Sequence, residues 1–387
     1  MSNLNLIKIL IEQINQSSQQ GITFAEYMHL VLYHPELGYY CSHLPKIGTQ
    51  GDYFTSSSLG ADFGELLAKQ FLEMWEILGQ PSPFIIVEMG AGLGLLAQDI
   101  LNYFEQNNTH FLDSLNYWLI EQSSTLIKAQ KNQLTPYLEK GVKLDWKTWE
   151  DIADESIIGC VFSNELVDAF PVHRVGLEKG ELKEIYVTYT ENTFKEILAD
   201  PSSEELNHYF KFVGVEFPSD AYPEGFQTEV NLSALSWLKT LSQKLKRGYI
   251  LTIDYGYPAH KYYHPQRYRG TLNCYYQHRH HHDPYINIGY QDLTAHVDFT
   301  ALERQGQKCG LEKLGFTQQG LFLMSLGLGD RLNDLSSGRY NLIEVMNRRD
   351  ALHQLIDPTG LGGFGVLVQC KGLSPSEKER SLLGLQY

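Results

Sequence analysis

The sequence predicts an α/β protein built on an open parallel sheet with helices on both faces. From residue 84, short apolar runs alternate with turn residues and helical patterns; the first such run enters a glycine-rich turn, and later runs end in carboxylates or amides. Alternation of this kind implies right-handed crossovers, which bring the carboxyl ends of the strands to one edge.

In chain order, Ile7, Leu10, Ile11 and Ile14 recur at helical spacing until Gly21 breaks the run. A second helix begins at ITFAEY, where Thr23 and Glu26 form a capping-box pattern, Ile22 and Tyr27 a possible staple, and it must stop by His34-Pro35. The stretch from His34 to Ser58 is rich in Gly, Tyr and Ser without a sustained period and reads as a long ordered loop, a kind that is usually functional. Phe63 through Leu78 mark an amphipathic helix closed by Gly79 and Pro81. FIIVEMG, LNYWLIE and IIGCVFSNE then read as strands, with LLAQDILNYF and the Ser123 to Leu134 segment as helices between them. Residues 174–230 interrupt the alternation with KGELKEIYVTYT and a polar stretch, read as an insertion carrying a β-hairpin. SALSWLKTLSQKLKRG resumes as helix and YILTIDYG as strand, with GFTQQGLFLMSL and GFGVLVQCKG as late strands. The expected organisation is an N-terminal helical cap over 1–80, a sheet domain over 81–372 and a polar tail over 373–387.

Of the 387 residues 43% are hydrophobic and 20% charged, which excludes a disordered or fibrous chain. Lys plus Arg is 31 against 46 Asp plus Glu, a formal charge of −15 that argues against a general nucleic-acid binder, although a local basic patch could sit within an acidic total. Cys41, Cys160, Cys274, Cys309 and Cys370 are scattered and lack metal or disulfide spacing. No apolar run approaches the roughly 18 residues that span a bilayer, and the first residues lack a basic or Arg-rich leader pattern. A cytoplasmic protein without membrane insertion is expected.

The sharpest motif is VEMGAGLGLLAQDIL, which places Gly90, Gly92 and Gly94 between a strand and a helix. Glycine lets the backbone turn sharply and approach a ligand, and the helix start offers free N–H groups. A nicotinamide fingerprint would want a small residue at position 95, which is Leu95; the GxGxG spacing preceded by Glu88 is the form associated with S-adenosylmethionine (SAM) sites. Taken alone, it is equally a tight strand-to-helix turn. Glu121, ending the next strand, is an acceptor-only group placed to hold both hydroxyls of a ribose. Asn164, Glu165 and Asp254 end further strands, so all should line one crevice. Glu165 and Asp168, three apart, would face one pocket if a helical turn starts there, where they could orient a cationic acceptor and draw off a proton; a helix N-terminal charge pair is the alternative. His278, His280, His281 and His282 beside Asp283 do not fix a tetrahedral site, and a structural or polar loop is expected there.

The blocks YHPELGYY (33–40), GDYFTSSSLGADFGELLA (51–68), VEMGAGLG (87–94), SNELVDAFPVHRV (163–175), DYGY (254–257), RGTLNCYYQHRHHHDPY (269–285) and DLTAHVDFTAL (292–302) together resemble the MidA family of SAM-dependent methyltransferases, which includes the mitochondrial complex I assembly factor and its bacterial relatives. The resemblance runs from about residue 20 to about 372. It implies a class I methyltransferase core, a seven-stranded mixed sheet whose antiparallel closing strand is GFGVLVQC, with the N-terminal helices and the 174–230 insertion covering the crevice. It further implies SAM held by Glu88, Gly90, Gly92, Gly94 and Glu121, with the block around Asp52 and Thr55 closing over it. Glu165 and Asp168, with Asn164, fall in the acceptor-side motif, and methylation of arginine in a protein partner, such as a respiratory-complex subunit, is the implied reaction. A scaffolding protein that keeps the SAM fold and a small-molecule methyltransferase are the alternatives. DNA amino-methylation is disfavoured because ELVD, not an NPPY-type motif, follows VFSN.

Overall fold

Seven strands form the central sheet: β1 (Phe84–Met89), β2 (Leu115–Ile120), β3 (Lys143–Lys147), β4 (Ile157–Asn164), β5 (Leu245–Asp254), β6 (Glu312–Gln318) and β7 (Gly365–Lys371). The structure is a computed structural model that describes residues 2–42, 55–277 and 279–386. Across the sheet the order is β3-β2-β1-β4-β5-β7-β6. β1 to β5 pair in parallel, while β7 runs antiparallel to both β5 and β6. This is the mixed sheet expected from the sequence, with GVLVQCK as its antiparallel member.

β1 is buried at all six positions because helices cover both of its faces. Its residues alternate between two cores. Phe84 and Ile86 pack with Phe71, Ile100 and Phe104 from the helices Asp62–Ile77 and Leu95–Asn107. Ile85, Val87 and Met89 pack with Trp237, Leu241 and Leu302 from Leu232–Lys244 and Phe299–Lys308 on the other side. Met89 lies opposite Ile120 and Ser163, and Asn164 opposite Ile253, so β1, β2, β4 and β5 end along one edge.

The N-terminal capping box forms as read: Thr23 Oγ1 accepts from Glu26 N at 3.1 Å and Glu26 Oε2 accepts from Thr23 N at 2.8 Å. Other segments depart from the expectation. GFTQQGLFLMSL is not one strand: β6 stops at Gln318 and Gln319–Ser325 is helical, with Phe322 and Leu323 buried while Leu321 and Met324 stay outside. The insertion holds more than a hairpin. Strands His173–Glu178, Glu181–Thr190, Thr193–Ala199 and Gln227–Val230 join Ile22–Thr23 in a separate five-stranded sheet, which ties the insertion to the N-terminal helices. β3 and the helices Leu328–Asp334 and Leu342–Ile356 between β6 and β7 were not anticipated. The C-terminal segment is docked: Leu382 is buried and Gly384 N donates to Gln70 Oε1 at 2.9 Å.

Candidate active site

The turn after β1 is built on left-handed glycines. Gly90, Gly92 and Gly94 have φ of +67°, +54° and +83°, a region that side-chain-bearing residues enter at a cost. A Cβ on Gly90 would lie 2.8 Å from Leu166 Cδ1, and one on Gly94, the N-cap of Leu95–Asn107, 3.4 Å from Gln130 Cα.

One strand over, Glu121 is fixed by its surroundings. Its Oε1 accepts from the N–H groups of Gln122 and Ser123 at 2.8 and 2.9 Å. Gln130, wholly buried on the following helix, shares its amide between Gly92 O at 2.9 Å and Glu121 Oε2 at 3.3 Å, and accepts from Trp146 Nε1 at 2.8 Å. The residue that couples the glycine turn to the carboxylate was thus missed in the sequence, where only its place on an apolar helix face could have marked it. Glu88 lies at the floor, hydrogen-bonded by Tyr117 OH at 2.6 Å, and burial pushes its carboxyl up to about 7. Burial also raises Glu121.

After β4 the chain turns at Glu165, itself left-handed at φ +51°. Its Oε1 accepts from Ser56 N at 2.8 Å and Asn164 Nδ2 at 3.1 Å, and burial, then neighbouring Asp168, raises it to about 7. Asp254 was expected to line the crevice but is fully buried: Oδ2 accepts from the N–H groups of Leu166, Val167 and Asp168 at 3.2, 2.9 and 3.3 Å, so it anchors the turn that presents Glu165. Asp168 does not share the pocket with Glu165 either. It occupies a tight 3-10 turn, is 6% exposed, and contacts Tyr255 behind the wall. Burial raises Asp168 to about 6 and raises Asp254 as well.

These elements enclose a cavity of about 820 Å3, lined by Glu88, Gly90, Gly92, Glu121, Asn164, Glu165 and Thr55. Thr55 N donates to Ser58 Oγ at 3.0 Å; Asp52 lies outside the described residues. The N-terminal cap adds His29, Tyr33, Tyr40 and Cys41, which sequence reading did not place at the site. Tyr33 OH donates to Ala169 O at 2.9 Å and Tyr40 OH to Asp292 Oδ1 at 2.6 Å, pinning the cap to the segment after β4 and to Asp292. Arg279–His281 pair with Asn273–Tyr276 in a small hairpin, and among the described residues no group of three or more His, Cys, Asp or Glu is placed to hold a metal ion.

A sheet of this order, with a glycine turn after its first strand and a ribose-competent carboxylate after its second, defines a nucleoside-binding methyltransferase fold. Residues 66–317 match the family described as "Putative S-adenosyl-L-methionine-dependent methyltransferase", and the chain belongs to that family. It is 31% identical over 340 residues to human "Protein arginine methyltransferase NDUFAF7, mitochondrial", covering 81% of this chain and 72% of that protein. The homolog of Drosophila melanogaster is 29% identical over 369 residues, covering 88% and 79%. A crystal structure of a COG1565 superfamily member from Burkholderia thailandensis, bound to S-adenosyl-homocysteine, superposes with a TM-score of 0.86 at 29% identity, covering 99% of this chain and 94% of that one. The cofactor is S-adenosylmethionine. The cavity fits it: acceptor-only Glu121, glycines where a Cβ would intrude, and an Asn164 Oδ1 that is buried without a hydrogen-bond partner among the described residues. Among the described residues no helix is long and apolar enough to cross a membrane. The named relatives are mitochondrial proteins and lend no support to the cytoplasmic placement expected from the first residues.

Proposed function

We propose that the chain methylates a guanidinium nitrogen of arginine in a partner protein. The observation that carries this is Glu165, a carboxylate held at the wall of the cofactor cavity by Ser56 N and Asn164 Nδ2, on a turn that Asp254 anchors from behind. The names of the relatives, protein arginine methyltransferases, support the same acceptor. A respiratory-complex subunit is the first partner to test, on the family resemblance.

When bound, the cofactor supplies an electrophilic methyl group on a sulfonium. Glu121 would hold the ribose hydroxyls, and the glycine turn and Glu88, which line the same cavity, would bound the cofactor site. Asn164, a lining residue whose buried Oδ1 has no hydrogen-bond partner among the described residues, would supply one further acceptor. Glu165 pairs with the entering guanidinium through charge-assisted hydrogen bonds and takes up the proton that the nitrogen gives up. Free guanidinium keeps its protons to above about pH 12, so a carboxylate near neutrality must accept the proton as the new bond forms, not before. Tyr33 and Tyr40 close the cap side and exclude water from the reacting groups.

The test is Glu165→Gln assayed by calorimetry with SAM and by mass spectrometry of a co-expressed partner. SAM binding should persist while methylarginine formation falls by about 10²-fold or more. Wild-type turnover in this variant would remove Glu165 from the reaction, and methyl-lysine in place of methylarginine would replace the acceptor.

A further inference from the structure

We infer that the segment between Asp254 and Asp283 carries an oxyanion-binding pocket that receives acidic side chains of a polypeptide ligand. In a chain of formal charge −15, residues 255–282 contain no Asp or Glu, yet hold Lys261, Arg267, Arg269 and Arg279 together with His260, His264, His278, His280, His281 and His282. The polarity of the molecule is locally inverted over this stretch.

The structure gathers part of it into a shallow pocket of about 490 Å3, lined by Tyr257, Lys261, His264, Gln266 and Arg267. Arg267 stacks on an aromatic pair there. Its guanidinium carbon lies 4.6 Å from the centre of the Tyr257 ring, whose plane lies 11° from that of His296 at 5.1 Å between centroids. Burial and the Arg267 charge push His296 down to about 4, so at neutral pH the ring under the stack is uncharged. Arg267 Nε is buried without a hydrogen-bond partner, and neither Lys261, His264 nor Arg267 forms an ion pair among the described residues. A planar guanidinium without an ion-pair partner among the described residues, flanked by an exposed ammonium, is a fork for a carboxylate.

The pocket connects to the methyl-transfer site through aromatic contacts. His296 meets Tyr255 edge-on at 4.9 Å, and Tyr255 contacts Asp168 behind the Glu165 wall. A short acidic loop is favoured over nucleic acid, because a polyanion spans the acidic remainder of the surface whereas a carboxylate side chain meets only the local patch. As a binding site the pocket stands independently; as a contact for the acceptor protein it rests on the arginine-methylation reading.

The probe is a fluorescein-labelled, arginine-free peptide of alternating Asp and Gly, followed by anisotropy at low salt against the full chain. Saturable binding is expected, weakened at least tenfold in the double variant Lys261→Gln, Arg267→Gln and partly restored when Arg267→Lys replaces Arg267→Gln in that pair. SAM titration of each variant checks that the fold is intact. Equal peptide binding by wild type and double variant overturns the inference. So does binding of inorganic phosphate without the peptide, or tighter binding of a uridine homopolymer through the same residues. The peptide cannot be methylated on arginine and the readout is binding alone, so a failure of the proposed reaction leaves this result untouched.

Discussion

At Glu165 the same burial that makes the carboxylate a weak acid sets the pH at which it can work. In the proposed reaction the working form is the carboxylate, so with its carboxyl at about 7, kcat/KM should climb about tenfold per pH unit below neutrality and level off above it. A rate profile from pH 5.5 to 8.5 checks this, and a wild-type profile flat across that range would dismiss Glu165 as the titrating base. Gly90 makes the other residue-scale prediction. Alanine there must hold φ near +67° and press its Cβ to 2.8 Å from Leu166, so Gly90→Ala should lose about 1–2 kcal/mol from backbone conformation alone and shift the turn against the cofactor. Chemical unfolding would show the loss, and calorimetry should show SAM affinity falling with it.

Among the elements, the turn between β4 and the 3-10 segment Val167–Ala169 hangs on one carboxylate. Asp254→Ala leaves the N–H groups of Leu166, Val167 and Asp168 without their acceptor, which at about 1–3 kcal/mol for each buried orphan predicts a loss of several kcal/mol, reduced where water enters. Urea unfolding measures this, and a change under about 1 kcal/mol would mean that the turn is held from elsewhere. The elements read correctly in the sequence were those with strong local signals. β1 and β7 are short, mostly apolar runs, interrupted by Glu88 in one and by Gln369 in the other, and Thr23 with Glu26 spells a capping box. β3, KLDWK, was missed because an edge strand buries little and carries charge. GLFLMS was misassigned because a short apolar run has no period of its own, and Phe322 and Leu323 become helical only by packing on the core. Gly90, Glu121 and Glu165, each just past a strand end, line the cavity, and that placement was legible from the strand pattern. The burial of Asp168 and Asp254 was not, because which of several strand-end carboxylates faces a cavity depends on a turn geometry set by partners far away in the chain.

For the whole molecule, the buried carboxylates make stability depend on pH in an unusual direction. Glu88, Asp99 and Glu165 are raised to about 7, and Asp168 and Asp298 to about 6. A group whose folded pKa lies above its unfolded value, here near 4, holds more protons in the native state, so its contribution is full at low pH and lost as pH rises through the folded value. The Tm of the cofactor-free protein should therefore fall between pH 5 and 8, helped by the growing repulsion within a chain of charge −15. Glu88→Gln should flatten part of that slope, since the amide has no proton to lose. A cofactor-free Tm that rises over this interval would contradict the burial assigned to these groups.

The position of β7 also bears on the order in which the chain is made. β5 pairs with β4 on one side and β7 on the other, and β6 has β7 as its sheet partner. During synthesis β5 and β6 emerge well before residues 365–371, so the nascent sheet carries a long apolar edge, Tyr249 to Ile253, with nothing beside it. The last strand completes the pairing of β5 and gives β6 its sheet partner. The ribosome-bound intermediate is thus the species most exposed to pairing with a neighbour, and a stop codon before Gly365 would preserve the glycine turn, Glu121 and Glu165 in sequence yet release a chain prone to aggregate.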